Sequence, residues 1–551
     1  MMEANFATLW EHIADALPER VALSQADRSL SYRELDESAG RLAGAWREAG
    51  IEPGAKIACY LYNSIPYLQT VYAAFKLGAV PVNVNYRYQR TELAQVLTDA
   101  DAEVLVFDGS LASRVEEALD AIPAIRMLVQ VDDGEQQILA RAVELEECIG
   151  AHAPLAHAAR SGDDELFIYT GGTTGLPKGV IWRQQDLFDS LSYQVYVVTG
   201  RRVPTTIDEV VAAARDLADT GDAPTTLPVA PLMHATALFG AMGTLLSGGR
   251  VAFAPSRSLD AASVWRTVER EHVTRMTIAG NAIARPLAEE LERARREGRP
   301  YDLGSLTNVV SAGVAWSDDI KRVFLEQQPM LLLEILASTE GGPYAYSSVN
   351  AVSELPTRFF LTPGSKVFDE GGAEVEPGSD TIGILAFSGA MPLGYYKDPE
   401  KTAEVFRFLH GKRYVMPGDF VKLAEDGSVI FLGRGSGVIN SGGEKIYPAE
   451  VESVLLSHPD VGDCVLVGIP DERWGEAATA LVKLKTGSAT PEELVEHVGR
   501  ELANYKKPRN VVIVETLPRG PNGKIDMGAA RSLAIVSSSP AERTSPEGSP
   551  E

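Results

Sequence analysis

Apolar and polar positions follow two interleaved rhythms over the first hundred residues. In "SYRELDESAGRLAGAWREAG" (residues 31–50) Leu35, Ala39, Leu42, Ala43 and Trp46 recur at helical spacing, and Ser31 with Glu34 forms a capping-box pattern at the start. "KIACYLY" (Lys56–Tyr62) reads as a buried strand, "PYLQTVYAAFKLG" as a helix and "AVPVNV" as a second strand. "TELAQVLTDA" is helical again, and "AEVLVFDG" returns to strand. Strands alternating with helices predict parallel sheets covered on both faces, an α/β fold.

The rhythm breaks at residues 201–226, "RRVPTTIDEVVAAARDLADTGDAPTT", a polar stretch that predicts an inserted surface helix. After "GDFVKLAEDGSVIFLGRGSGVINSGGEKIYP" the texture becomes a compact helix-strand-strand-helix-strand order. The Gly-rich "GRGSG", with a boundary near Arg434 to Gly437, suits a flexible joint, so a large N-terminal domain is expected over residues 1–434 and a small α+β C-terminal domain over 435–536. At 551 residues the chain exceeds the roughly 250–300 at which single cores stop growing, which also requires more than one domain. "SSSPAERTSPEGSPE", Ser537–Glu551, is nearly free of apolar residues and is expected to be disordered. No repeat of domain-building period is visible.

A net charge of −25 argues against nucleic acid and anionic membranes as partners and favours solubility. Cys59, Cys148 and Cys464 are far apart and form no CxxC pair, which speaks against a disulfide framework or zinc site and for a reducing compartment. The first residues carry acids among apolar positions, unlike a signal peptide, and no apolar run reaches the ~18 residues of a membrane span. A cytosolic protein, not integral to a membrane, is expected.

The densest chemistry lies in "IYTGGTTGLPKGVIWRQQD", Ile168–Asp186. Glycines let backbone N–H groups approach an anion, Thr170, Thr173 and Thr174 add hydroxyl donors, and Lys178 offsets charge. The composition suits a triphosphate. A Walker A loop is excluded because Lys178 is flanked by Pro177 and Gly179, and a Rossmann fingerprint because Gly171 and Gly172 are adjacent.

"YTGGTTGLPKGV" resembles the phosphate-binding signature of the adenylate-forming superfamily, and further signatures follow in the family's order from about Thr8 to Ala530. Together with "GRGSGVINSGGEKIYPAEVE", the loop most resembles acyl-CoA synthetases acting on fatty or steroid-side-chain carboxylates. The resemblance implies an acid–thiol ligase: a carboxylate attacks the α-phosphorus of ATP, and coenzyme A then displaces AMP. It implies that Lys178, Thr170, Gly171, Gly172, Thr173, Thr174 and Gly175 hold phosphate. In "LASTEGG", Glu340 matches the magnesium ligand, with Ser338 and Thr339 beside it. Lys524 in "LPRGPNGKID" matches the adenylation lysine, Asp419 in "MPGDF" the ribose-binding acid, and Arg434 a second ribose contact. Gly313 in "SAGVA" falls at the adenine pocket, and His234 in "PLMHATALFG" between the phosphate loop and the acyl pocket. Gly442 and Gly443 would admit the pantetheine arm, with Arg473 and Trp474 in reach of the nucleotide of CoA. The C-terminal domain is expected to be mobile, swinging about Gly435–Gly437 between the two half-reactions.

Four departures from the family's pattern stand out. Leu336 and Ala337 replace the usual Tyr-Gly, Pro417 stands before Gly418-Asp419 where Thr is usual, Ser436 takes the hinge position, and Asn440 a place where some members have lysine. None removes a charge that adenylation requires. "HATALFGAMG" carries no acid to neutralise an α-ammonium, which disfavours amino acids, because an unpaired cation in an apolar setting is costly. Small residues at Ala235, Gly240, Ala315 and Ala337 predict a roomy apolar pocket for a bulky acid. Transfer to a carrier-protein thiol, and a non-catalytic nucleotide-binding homologue, remain the competing expectations, and the resemblance leaves a homodimer open.

Overall fold

The computed structural model describes residues 2–170, 177–197, 199–313, 316–441, 444–471, 474–485, 488–502, 504–520 and 525–538, with Arg434, Ser436, Glu444 and Lys445 placed by backbone alone. The alternating pattern of the first hundred residues becomes a sheet with helical crossovers. Its strands run in the order Gly394–Tyr395, Lys178–Arg183, Glu165–Thr170, Val80–Asn83, Lys56–Tyr60, Ala102–Asp108, Met127–Val131, Ala142–Glu144. From Glu165–Thr170 onward every pairing is parallel, and the two at the other edge are antiparallel. Helices Ile65–Leu77 and Arg90–Asp99 make the crossovers, and Tyr60, Val82, Leu97, Phe107 and Phe167 share one core. The predicted capping box is present: Glu34 N–H donates to Ser31 Oγ at 3.2 Å, and Ser31 N–H to Glu34 Oε2 at 2.7 Å.

A second sheet aligns Val21–Gln25, Arg250–Phe253, Thr225–Pro228, Arg275–Ile278, Asn308–Ala312 and Leu331–Ser338 in parallel. Its carboxyl-terminal ends lead to the segment before His234, the turn at Gly313 and the turn Thr339–Glu340. That is where ligands bind in parallel α/β sheets. The polar stretch at 201–226 contains helix Ile207–Thr220, which buries Val210, Ala214 and Leu217 and packs on helix Phe6–Ala16. It is amphipathic and half-buried, so only its outer face fits the expected surface helix.

By contacts the chain divides into Met1–Ser365 with Ala386–Val415, and Lys366–Leu385 with Met416–Glu551. In the second unit, helix Pro448–Ser457, strands Val461–Asp471 and Gly475–Leu484, helix Pro491–Glu501 and strand Asn510–Ile513 follow the order read from sequence. Period-two alternation builds two cores here: Cys464 and Leu466 face Val451, Leu455, Leu494 and Val498, while Val465 and Val467 face Ala530 and Ala534. Helix Met527–Ser538 covers that second face, so order extends two residues past the expected start of the tail at Ser537; residues 539–551 lie outside the described residues. Among the described residues no helix is long and apolar enough to cross a membrane.

Candidate active site

Thr170 and Lys178 are cross-strand partners in the ladder of Glu165–Thr170 with Lys178–Arg183. The loop residues between them, Gly171, Gly172, Thr173, Thr174 and Gly175, lie outside the described residues. Gly179 is required by close approach, since a Cβ there would sit 2.7 Å from the Tyr169 ring. One buried amide ties the start of the loop to the His234 segment. Tyr169 N–H donates to Asn83 Oδ1, and Asn83 Nδ2 donates to the carbonyls of Tyr169, at 3.0 Å, and of Met233. His234 follows Met233 as the N-cap residue of helix Ala235–Leu246. On that helix His234, Ala235, Thr236, Phe239 and Gly240 stay partly exposed, a face with no carboxylate.

Lys178 donates to Asp398 Oδ2. Asp398 caps helix Pro399–Val405, its Oδ1 accepting from Lys401 N–H at 2.9 Å. The Lys178 ammonium, then this backbone donor, hold the Asp398 carboxyl below the usual carboxylate range. Three residues earlier Tyr395 donates its hydroxyl to Glu340 Oε1 at 2.7 Å. Strand Gly394–Tyr395 pairs with the lysine's own strand, Tyr395 opposite Val180, and Tyr396 N–H donates to Gly179 O at 2.8 Å. The segment Gly394–Asp398 therefore touches the predicted phosphate cation and the predicted metal ligand together.

Thr339 and Glu340 form the turn between strands Leu331–Ser338 and Gly341–Val349, in which Ser338 faces Gly341. Gly341 has φ 153°, and a Cβ there would come within 2.6 Å of Val415, so only glycine closes this turn. Trp182 Nε1–H donates to Thr339 O at 3.1 Å, and its ring meets Phe239 edge-on at 5.6 Å. Ser338 Oγ and the Tyr344 hydroxyl are hydrogen-bonded at 3.0 Å.

Gly313 turns the chain with φ 86° at the end of strand Asn308–Ala312. Just beyond, Trp316 N–H donates to Glu334 Oε1 at 3.0 Å and Ser317 N–H to Asn281 Oδ1 at 2.9 Å. Glu334 is buried, which raises its carboxyl, while Lys321 at 2.5 Å opposes the shift. The turn that carries Gly313 is thus pinned from below by a buried ion pair. Ala315 lies outside the described residues.

In the second unit Asp419, 6% exposed, lies opposite Arg434 in the ladder of Asp419–Leu423 with Ser428–Arg434. Register alone brings the two expected ribose contacts together. Gly442, Gly443, Arg473 and Lys524 lie outside the described residues. Trp474 N–H donates to Asp471 Oδ1 at 2.9 Å, and the Arg509 guanidinium lies 4.1 Å above its ring.

Asn83, Trp182, Tyr395, Asp398 and Arg509 were not singled out from sequence. Asp398-Pro399 carries a readable signal, an N-cap residue followed by proline, but that signal announces a helix start and not its partner.

Comparison with known proteins places these features in a family. Residues 10–396 match the AMP-binding enzyme family, and residues 450–524 the AMP-binding enzyme C-terminal domain. The chain belongs to the AMP-binding enzymes. It is 38% identical over 534 residues, 95% of both chains, to the 3-oxocholest-4-en-26-oate–CoA ligase of Rhodococcus rhodochrous. It is also 38% identical over 532 residues, 95% of this chain and 94% of the other, to the medium/long-chain-fatty-acid–CoA/3-oxocholest-4-en-26-oate–CoA ligase of Mycobacterium tuberculosis. The fold resembles the anthranilate CoA ligase AuaEII in complex with anthranoyl-AMP, with TM-score 0.79 at 23% identity over 97% of this chain and 98% of that one.

Proposed function

We propose that the protein is an ATP-dependent acyl-CoA ligase for a bulky apolar carboxylic acid, of the fatty-acid or steroid-side-chain class. The observation that carries this reading is likeness along the whole chain, at 38% identity, to two ligases named for such acids. The partly exposed face of helix Ala235–Leu246 is consistent with it. Small and apolar residues stand there without an acid, beside the Trp182–Phe239 pair.

The reaction has two displacements. The substrate carboxylate attacks the α-phosphorus of ATP, giving acyl-adenylate and pyrophosphate. The thiol of CoA then attacks the acyl carbon, and AMP leaves. Lys178 and the threonines of the loop, with Thr170 across the ladder from the lysine, hold the polyphosphate, where charge develops in the first step. Magnesium, when bound, neutralises polyphosphate charge. Glu340 fits as its ligand: it is a hard oxygen donor whose Oε1 is fixed by Tyr395, and no donor among the described residues meets Oε2. Asp419 and Arg434 take the ribose, and the turn at Gly313 takes the adenine. Lys524 supports adenylation, while Gly442, Gly443 and Trp474 receive CoA after the C-terminal domain turns about Gly435–Gly437.

The test is formation of AMP and thioester from ATP, magnesium and CoA across acids from acetate through long fatty acids to steroid side-chain acids. Thioester should appear with bulky acids and fall away towards acetate. Lys524→Ala should abolish adenylation yet spare thioester formation from preformed acyl-adenylate. AMP without thioester would mean an acceptor other than CoA, such as a carrier-protein thiol. No turnover with any acid would remove the ligase reading.

A further inference from the structure

The Lys178 ammonium is already engaged. Its partner Asp398 is held by three independent restraints. Its Oδ1 caps the helix through Lys401 N–H, Tyr395 N–H donates to Thr402 Oγ1 at 2.9 Å one turn along, and strand Gly394–Tyr395 is hydrogen-bonded to the lysine's own strand. The carboxylate therefore cannot follow the lysine. The lysine, on a four-carbon stem with a rotatable ammonium, can leave the carboxylate. Both side chains are partly open to solvent, 33% for Lys178 and 27% for Asp398, so water can replace either partner as the pair separates.

Resting on the reading that Lys178 holds the polyphosphate, we propose that Asp398 is a resident competitor for the Lys178 ammonium, so that ATP binds, and pyrophosphate leaves, by exchanging places with its carboxylate. A partly exposed ion pair is weak, and a polyphosphate offers several charge-assisted acceptors where Asp398 offers one, so ATP wins the exchange on entry. After the α–β phosphorus–oxygen bond has broken, recapture of Lys178 by Asp398 offsets part of the cost of releasing pyrophosphate. Asp398 touches no reacting atom; it is a positioning residue that sets how tightly Lys178 is available.

The test uses Asp398→Asn and Asp398→Ser in the full-length protein. Asparagine and serine are both good N-caps, so each variant keeps the helix start and loses only the carboxylate. Two readouts are needed. Acylation of Lys178 by a water-soluble amine-reactive acetate ester, followed by peptide mass spectrometry with and without magnesium-ATP, reports whether the ammonium is covered and by what. Steady-state kinetics give the KM for ATP and the inhibition constant of pyrophosphate.

In the nucleotide-free protein Lys178 should react severalfold faster in both variants than in the wild type, and ATP should protect it in all three. Loss of a pair of this exposure should lower the KM for ATP and the inhibition constant of pyrophosphate by about two- to fivefold each, without raising kcat. If ATP protects Lys178 but neither constant falls, the exchange is wrong and the phosphate role of Lys178 stands. If ATP protects Lys178 in none of the proteins, the phosphate role itself fails, and the exchange with it. A rise in KM would mean that Asp398 helps the lysine reach ATP, which also overturns the proposal.

Discussion

Lys76 and Lys178, both in the first unit, are paired with carboxylates in opposite surroundings. Lys76 is buried, 1% exposed, and lies 2.6 Å from Glu11 Oε1 and 2.7 Å from Asp36 Oδ1. Arg160 closes the other side of Glu11 at 2.9 Å, and the Tyr72 hydroxyl and His157 also reach Asp36. Burial alone would raise the Asp36 carboxyl, yet Lys76, Tyr72 and His157 together bring it below its ordinary value. Among the described residues Lys178 has one carboxylate partner, and its side chain is a third exposed. The buried cluster shares its charges among several partners, so no member can leave without stranding another. At the sheet edge the pair is simple and wet, and it can be exchanged. Exposure and the number of partners, more than the presence of an ion pair, set the two lysines apart.

The largest effect is expected at the buried cluster. Lys76→Met keeps the length of the side chain but leaves Glu11 and Asp36 facing each other without the ammonium. Such a broken buried pair costs about 3–5 kcal/mol, read as a lower midpoint in denaturant unfolding. Adding Glu11→Gln should recover part of the loss; no recovery would mean that packing and not charge carries the cost. At the edge, Lys178→Ala should reverse the pattern. Unfolding should change little, while kcat/KM should fall by about 10²–10³-fold, the usual cost of removing one preorganised donor to developing charge. If Lys178→Ala unfolds the protein, or Lys76→Met spares it, the contrast between the two lysines is lost.

Glu452 in helix Pro448–Ser457 sharpens the comparison by supplying a half-buried carboxyl that, among the described residues, no cation contacts. Its Oε1 accepts from Leu466 N–H at 2.7 Å, and the charge beside it is another acid, Asp463. Burial, with Asp463, pushes it up to about 7. A carboxyl raised in the folded state binds a proton there that the unfolded chain has lost. Its effect on stability is therefore nil below the ordinary carboxylate range, becomes unfavourable as pH rises towards 7, and is constant above. Glu452→Gln keeps the acceptor and removes the titration. The variant should gain up to about 3 kcal/mol over the wild type at pH 8 and nothing at pH 4, by paired unfolding curves. An equal difference at both pH values would show that Glu452 does not titrate in this range.

These contrasts mark where the sequence could be read and where it could not. Ser31 with Glu34, and the helix-strand-strand-helix-strand order from Pro448 onward, were legible because their causes are local: a cap three residues from its partner, and periods of 3.6 and 2. The fold class followed from the same rhythms. Lys178 and Glu340 were visible through signatures in a known order, and the structure describes both. Their supports were not visible. Asp398 is 220 residues from Lys178, Asn83 is 150 from Met233, and Tyr395 is 55 from Glu340. Side chains brought together only by sheet order leave no periodic trace, so Asp398 reads locally as a helix cap and nothing more. For Thr173, Gly442 and Lys524 the sequence remains the whole argument.

The smallest effect is expected from Asp398→Asn on stability, and it bears directly on the first contrast. If the Lys178–Asp398 pair were structural in the manner of Lys76, removing its charge would cost several kcal/mol. Two considerations argue that it does not. The pair is solvated on both sides, and such pairs contribute about 0.2–1 kcal/mol. The other function of Asp398, accepting Lys401 N–H at the helix start, passes to the asparagine oxygen. The unfolding midpoint should therefore move by no more than about 1 kcal/mol equivalent, and the movement should shrink further in high salt, where exposed pairs are screened. Lys76→Met should show no such salt sensitivity, because its partners are out of reach of ions. A large, salt-independent loss in Asp398→Asn would put both lysines in one class, and Lys178 would then be held for the fold before it is lent to any nucleotide.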